Sequence, residues 1–199
     1  MLDRDGFASL SMRAVARELD MSTMGLYRYV SDRVELEQLI VEAVLGPILL
    51  EVPHQASWKE QVGLLVEQVR DAAGAHPETV PLLLAHRHTS PRTLQWIEVM
   101  LGVLASAGFT STSLVIAQRT IVHYLLGAIQ AEHHASLRAV GTTTMAELSS
   151  DDFPHLVLAA RTAQNVRPGE EFRHGLNSVL HGLEATLNPD QPRPSRSWW

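Results

Sequence analysis

The chain has 199 residues, enough to bury a core either as one domain or as a small domain joined to a larger one. It holds no cysteine, which excludes disulfides and thiolate metal sites. Its net charge of -6 excludes a surface that is basic all over, so any contact with nucleic acid has to be focal. Apolar residues recur at helical spacing almost throughout, and no run alternates as a strand does; the fold class is therefore all-α. The opening MLDRDGF has neither the basic nor the apolar segment of a secretory signal, which fits a cytoplasmic protein. Ser11 caps a short helix whose Met12, Val15, Ala16 and Leu19 share one face. Ser22 caps a second, with Leu26 and Val30 inward. Asp32 and Glu35 resemble a capping box, and Leu36, Leu39, Ile40, Ala43 and Val44 form the stripe of a longer helix that ends at Gly46-Pro47. Ser57 and Glu60 make another capping box, opening a helix that runs to about Ala75 and stops before His76-Pro77. A shorter helix follows over roughly Glu78 to Ala85.

Ser90-Pro91 starts a helix that runs to Ala107, with Gly108 at its C-cap. The uncharged run Val99 to Gln118 is long enough to span a membrane, but Gly108 and the Thr/Ser cluster after it interrupt the apolar character. It reads as two soluble helices meeting, with no membrane partner. Ser113 to about His134 is a long helix with a broad apolar surface, Gly141 to Ser150 a polar connection, and Asp152 to Thr162 a further helix. Glu170 to Leu187 closes the series with Leu176, Val179, Leu180 and Leu183 on one side. Residues 189–199, NPDQPRPSRSWW without its first Asn, form a flexible Pro-rich tail.

Helix, tight turn, helix, then a third helix opened by Ser31-Asp32-Arg33 is the layout of a helix-turn-helix, whose second helix enters the major groove of DNA. Two turns suffice there, because groove width limits how many side chains reach base edges. Thr23, Met24 and Gly25 are slender enough for close approach, and Tyr27, Arg28 and Tyr29 can donate to phosphates or bases. Arg33 adds a phosphate contact backed by its own helix N-terminus. Residues 1 to 45 carry five Arg against eight Asp/Glu, a balance that DNA binding tolerates if the acids face away.

The ordered string Gly6-Phe7, Leu10-Ser11-Met12-Arg13, Val15-Ala16, Leu19, Ser22, Leu26-Tyr27-Arg28-Tyr29-Val30, Asp32-Arg33 and Leu36 resembles the TetR family of bacterial transcriptional regulators. Later landmarks resemble the tetracycline-repressor type of C-terminal domain. These are Trp58, His76-Pro77, Ala107-Gly108-Phe109, Tyr124-Leu125-Leu126-Gly127 and Phe172-Arg173-His174-Gly175-Leu176 on to Leu183-Glu184. The resemblance implies a homodimer in which an N-terminal helix-turn-helix domain, here 1–46, binds a palindromic operator in double-stranded DNA. A larger helical domain, 47–188, binds a small-molecule effector and dimerises. Residues matching the family's DNA-contact positions are Arg13, Thr23, Met24, Gly25, Tyr27, Tyr29 and Arg33, with Arg28 a further candidate. Asp20 stands where the family has Gly, at a turn position favouring left-handed backbone, and Arg33 replaces a Lys. The family's first helix starts well before Gly6, so the first helix reads as truncated, and a helical dimeric binding module that has lost DNA binding is the rival reading.

A ligand in a helical domain sits between helices among apolar and aromatic groups with a few polar fixers. The helices and His-x-His loop that surround the cavity in relatives supply Val66, His86, His88, Trp96, Met100, Gln118 and His123. Leu84 stands where tetracycline-binding relatives place a metal-assisting His, so that ligand mode is not expected. Neither His86-Arg87-His88 nor His133-His134 has the spacing and carboxylate support of a zinc enzyme, and no metal or cofactor is expected. There is no G-x-S-x-G, no paired-carboxylate motif and no phosphate loop, so the chain reads as a non-enzyme. The dimer is expected to pair the Ser113–His134 helix and the Leu176, Val179, Leu180, Leu183 stripe with their two-fold copies, Gly127 allowing close approach. Effector binding is expected to act on the Asp32–Leu45 helix through residues 46–58 and the His86–Pro91 loop.

Overall fold

The computed structural model describes residues 1–133 and 135–187, and among these the regular structure is all helical. The expected tail at 189–199 and the end of the long helix at His134 lie outside the described residues. The chain divides into two compact units, Met1–Gly102 and a second beginning at Val103.

The first unit opens with a four-residue helix, α1 (Leu2–Asp5), and a single turn at Phe7–Ser9. In α2 (Met12–Glu18) the Ser11 Oγ accepts from the Ala14 N–H, and Met12 and Ala16 are buried. Leu19 does not join them: it is the C-cap residue and 59% exposed, while Leu10, just before the helix, is buried. The helix closes in a Schellman motif, with Met21 N–H on Ala16 O and Asp20 N–H on Arg17 O. That motif demands a left-handed residue between them, and Asp20 has φ 53°.

Ser22 then caps α3 (Thr23–Leu26) through the Gly25 N–H. This helix is shorter than two turns, but backbone bonds from Tyr27, Arg28, Tyr29 and Val30 carry the coil on as turns, and Leu26 and Val30 face inward as expected. Asp32 caps α4 (Arg33–Leu45). Its buried face is Leu36, Val41, Val44 and Leu45, whereas Leu39 and Ala43 are exposed and Ile40 is half-buried. The stripe is rotated from the expected one because Glu37 and Glu42, both only partly exposed, are turned toward hydrogen-bond partners elsewhere in the unit.

The capping box of Ser57 and Glu60 opens α5 (Trp58–Ala75) as expected, with Val62, Leu65, Val66 and Ala73 buried. A turn at Pro77–Thr79 leads into α6 (Val80–Ala85), and α7 (Pro91–Ser106) begins after Ser90.

In the second unit α7 ends in another Schellman pattern, Phe109 N–H on Leu104 O, at Gly108 with φ 104°. The apolar run is therefore two helices meeting. Here α8 (Ser111–His133) buries Ala117, Ile121, Leu125 and Ile129. The expected polar connection after Gly141 is corrected: α9 (Ala135–Ala146) continues through Gly141 and its three threonines and packs with α10 (Pro154–Ala163). Tertiary packing overrides weak local propensity there. The last helix, α11 (Pro168–Leu187), buries Phe172, Leu176, Leu180 and Leu183 and packs on α8.

Candidate nucleic-acid interface and effector pocket

The α2–α3 turn presents a cluster of potential DNA contacts. Met24 is 77% exposed, Tyr29 72% and Tyr27 46%, and Arg13, Arg28 and Arg33 are exposed as well. Thr23 is half-buried. Gly25 is buried, with its N–H committed to the Ser22 Oγ, and a Cβ there would lie 3.2 Å from that oxygen. Gly25 therefore serves the close approach of chain to cap and has no side chain to offer DNA. Three large apolar or aromatic side chains so exposed, beside three Arg, are not explained by packing within the unit.

The excess of acids is accommodated by use. Arg4 spans Asp5 and Glu18, which raises the guanidinium's pKa and lowers both carboxyls, with the hydrogen bonds as the leading cause. Asp3 meets His76 Nδ1 at 2.9 Å, Asp32 accepts from Glu35 N–H, and Glu35 accepts from the Ser31 N–H and Oγ, which lower its carboxyl pKa. Glu42 accepts from the Ser90 Oγ at 2.5 Å and the Arg92 N–H at 3.1 Å. The Arg92 guanidinium in turn reaches Gly46 O and Ile48 O.

Glu37 is shared. Its Oε1 accepts from Arg33 Nε at 2.7 Å, and its Oε2 faces His86 Nε2 at 3.0 Å. Burial alone would raise this carboxyl, but the hydrogen bonds from Arg33 and His86, and then their charges, outweigh it and hold the pKa below the ordinary value. An ionised carboxylate only accepts, so the proton lies on His86 Nε2. Sequence reasoning passed over Glu37, Glu42, Ser90 and Arg92 as connectors between α4 and the α6–α7 loop. The Arg33/Glu37 spacing of four was the one legible signal; the loop partners are 44 to 50 positions away.

The expected pocket residues are not all alike. In the first unit Val66 and Met100 are fully buried, and Trp96 is buried with its indole N–H on Leu65 O at 2.9 Å. His86 is buried against Glu37, while His88 is exposed. In the second unit Gln118 is half-buried and His123 exposed. His123 lines an open groove of about 330 Å³ between α8 and α11, together with Tyr124, Gly127, Glu132, Glu171 and Phe172. Tyr124 donates to Phe172 O at 2.8 Å with the two rings 5.5 Å apart. Among the described residues no group of three His, Asp or Glu side chains is placed to hold a metal.

The expected interface stripe needs correction. Leu176, Leu180 and Leu183 are 4%, 3% and 8% exposed in a single protomer, because that face of α11 packs on its own α8. They are core. Val179 is half-buried and Gly127 exposed, so those two remain available to a partner. Apolar surface also remains on α8, where Val115 and Ile116 are 53% and 56% exposed. Among the described residues α8 alone is long and apolar enough to cross a membrane, by length and composition only, with 22% of its apolar window buried.

The family model described as "Tetracyclin repressor-like, C-terminal domain" matches residues 52–187. The chain is 30% identical over 132 residues to an HTH-type transcriptional regulator of Saccharopolyspora erythraea, covering 66% of this chain and 56% of that protein. It is 29% identical to the HTH-type transcriptional repressor DrrR1 of Streptomyces coeruleorubidus, covering 93% and 73%. In fold it resembles a possible TetR family regulator from Streptomyces coelicolor A3(2), with TM-score 0.83 at 23% identity over 93% and 94% of the two chains. Apo ActR from Streptomyces coelicolor superposes with TM-score 0.79 at 24% identity over 94% and 90%. The chain belongs to the TetR family of transcriptional regulators.

Proposed function

We propose that this protein is a ligand-responsive repressor: a cytoplasmic homodimer that binds a palindromic operator in double-stranded DNA and lets go when a small effector binds. The observation that carries the reading is the capped α2–turn–α3 unit, whose inward residues are apolar while Met24, Tyr27, Arg28, Tyr29, Arg13 and Arg33 remain outside. Residues 1–46 act as the DNA-binding domain and 47–188 as the effector and dimer domain. Arg13, Arg28 and Arg33 serve phosphates, and Thr23 and Met24 approach base edges, with Tyr27 and Tyr29 at either. The relative DrrR1 is named a repressor, and ActR has been crystallised with actinorhodin, which supports the ligand half of the reading. The apolar candidates for the effector site in the first unit are the buried Val66, Trp96 and Met100, with His86 and His88 on the α6–α7 loop. The second unit offers its own polar candidates, Gln118 and His123 on α8, the latter lining the groove beside α11. For effector binding to lower operator affinity a hundredfold, it must favour the DNA-incompetent arrangement by about 2.7 kcal/mol.

Selection of duplexes from a randomised pool tests the DNA half. Wild type should enrich a two-fold symmetric site with half-sites about one helical turn apart. Thr23 or Met24 substitution should change the enriched bases, whereas Arg33→Ala should weaken all duplexes alike and reduce the salt slope by about one. No enrichment, and no difference among these variants, would remove the reading.

A further inference from the structure

We propose that Glu37 positions Arg33 for DNA and that the His86 loop controls DNA affinity through this one carboxylate; the inference deepens the regulator reading above and rests on it. The Arg33 guanidinium is held at its Nε alone, by Glu37 Oε1 at 2.7 Å. Its two terminal nitrogens have no partner among the described residues, and the side chain is 51% exposed. The end of the fork is thus presented to solvent with its base fixed, a preorganised donor pair for a phosphate. The other oxygen of Glu37 is occupied by His86 Nε2 at 3.0 Å, and the two side chains are only 14% and 10% exposed.

Those two bonds fix the rotation of the carboxylate. Withdrawing His86 leaves Oε2 poorly hydrated, and the nearest charged donor able to satisfy it is Arg33 itself. Carboxylate and guanidinium then close into a bidentate pair through Nε and a terminal nitrogen. That pairing takes from Arg33 a donor that the phosphate requires. His86 is tied by backbone bonds to Thr89 and Ser90, and Ser90 grips Glu42, so the loop moves as a unit against α4. A small displacement of the loop is thereby converted into a change of partner for Arg33, with no bending of α4 needed.

The test is a double-mutant cycle on the full chain, using a duplex enriched by wild type and the salt dependence of its binding. His86→Ala should weaken binding about three- to tenfold and lower the salt slope by about one, as loss of a phosphate contact does. In the Arg33→Ala background, and in Glu37→Gln, which removes the carboxylate charge, the same His86 change should have no further effect. A purely structural role of His86 predicts the opposite: an equal loss in all three backgrounds, which would overturn the proposal. Arginine side-chain NMR gives a readout without DNA. Rotation of the Arg33 terminal groups should be free in wild type and restricted in His86→Ala, and unchanged rotation would also overturn it. Failure of wild type to bind any duplex would instead bring down the regulator reading, and this inference with it.

Discussion

Asp20 occupies the one position of the helix-turn-helix turn where L residues are strained, and the Schellman bonds around it leave no alternative. Substituting glycine should therefore be neutral or stabilising, while a β-branched residue should cost about 1–2 kcal/mol, the left-handed penalty. Thermal denaturation of Asp20→Gly and Asp20→Val measures the difference directly. Glu37 carries a pH consequence of its own. Its folded pKa is depressed from the ordinary 4.5, so the unfolded chain binds more protons near that pH. The stabilisation is present above pH 4.5 and is lost as pH falls through the folded value. Acid titration of stability should show Glu37→Gln with a shallower loss below pH 4.5 than wild type. An unchanged acid limb would mean that Arg33 and His86 do not hold the carboxylate in solution.

At the level of elements, most helices were legible because their ends are written locally. Ser11, Ser22, Asp32 and Ser57 each cap the helix they precede, and Gly108 ends α7. Which face each helix buries was less legible. Leu39 and Ala43 lost their expected place to Val41 and Leu45 because Glu37 and Glu42 are satisfied by partners far along the chain. α9 was missed for a related reason, since Thr142, Thr143 and Thr144 speak against helix locally while the helix packs with α10. Of the candidate site, the exposed residues of the α2–α3 unit were singled out by pattern, whereas the α4–loop connections required the fold. One contact between α8 and α11 makes a sharp prediction. A Cβ at Gly175 would fall on the Tyr124 hydroxyl and lie 2.9 Å from its Cζ, so this helix pair can close only over glycine. Gly175→Ala should displace Tyr124, break its bond to Phe172 O, and cost about 1–3 kcal/mol. Tyr124→Phe should recover part of that loss in a double mutant; full additivity in chemical denaturation would refute the contact.

For the whole molecule, the burial pattern changes what an interface test should be. Leu180→Asp would put a charge into the α8–α11 core of each protomer, so it should unfold the chain and say nothing of pairing. Ile116→Asp, on the uncovered surface of α8, should leave helicity intact. In the proposed homodimer it should shift sedimentation toward the monomer at micromolar concentration. A variant that remains wholly dimeric would move the interface off that part of α8.

In the proposed homodimer, the uncovered apolar side of α8 would also couple the protein's survival to its abundance. Within one protomer only 22% of that helix's apolar window is fully buried, and pairing through it would supply part of the remaining burial. Mass action then makes the melting midpoint rise with protein concentration, as it does for any fold completed by association. In a cell making few copies, dilution would act twice, thinning the population of dimers and exposing each separated chain to proteolysis. For the proposed dimeric repressor, the rate of synthesis would then be one of the variables that set how long its operator stays occupied.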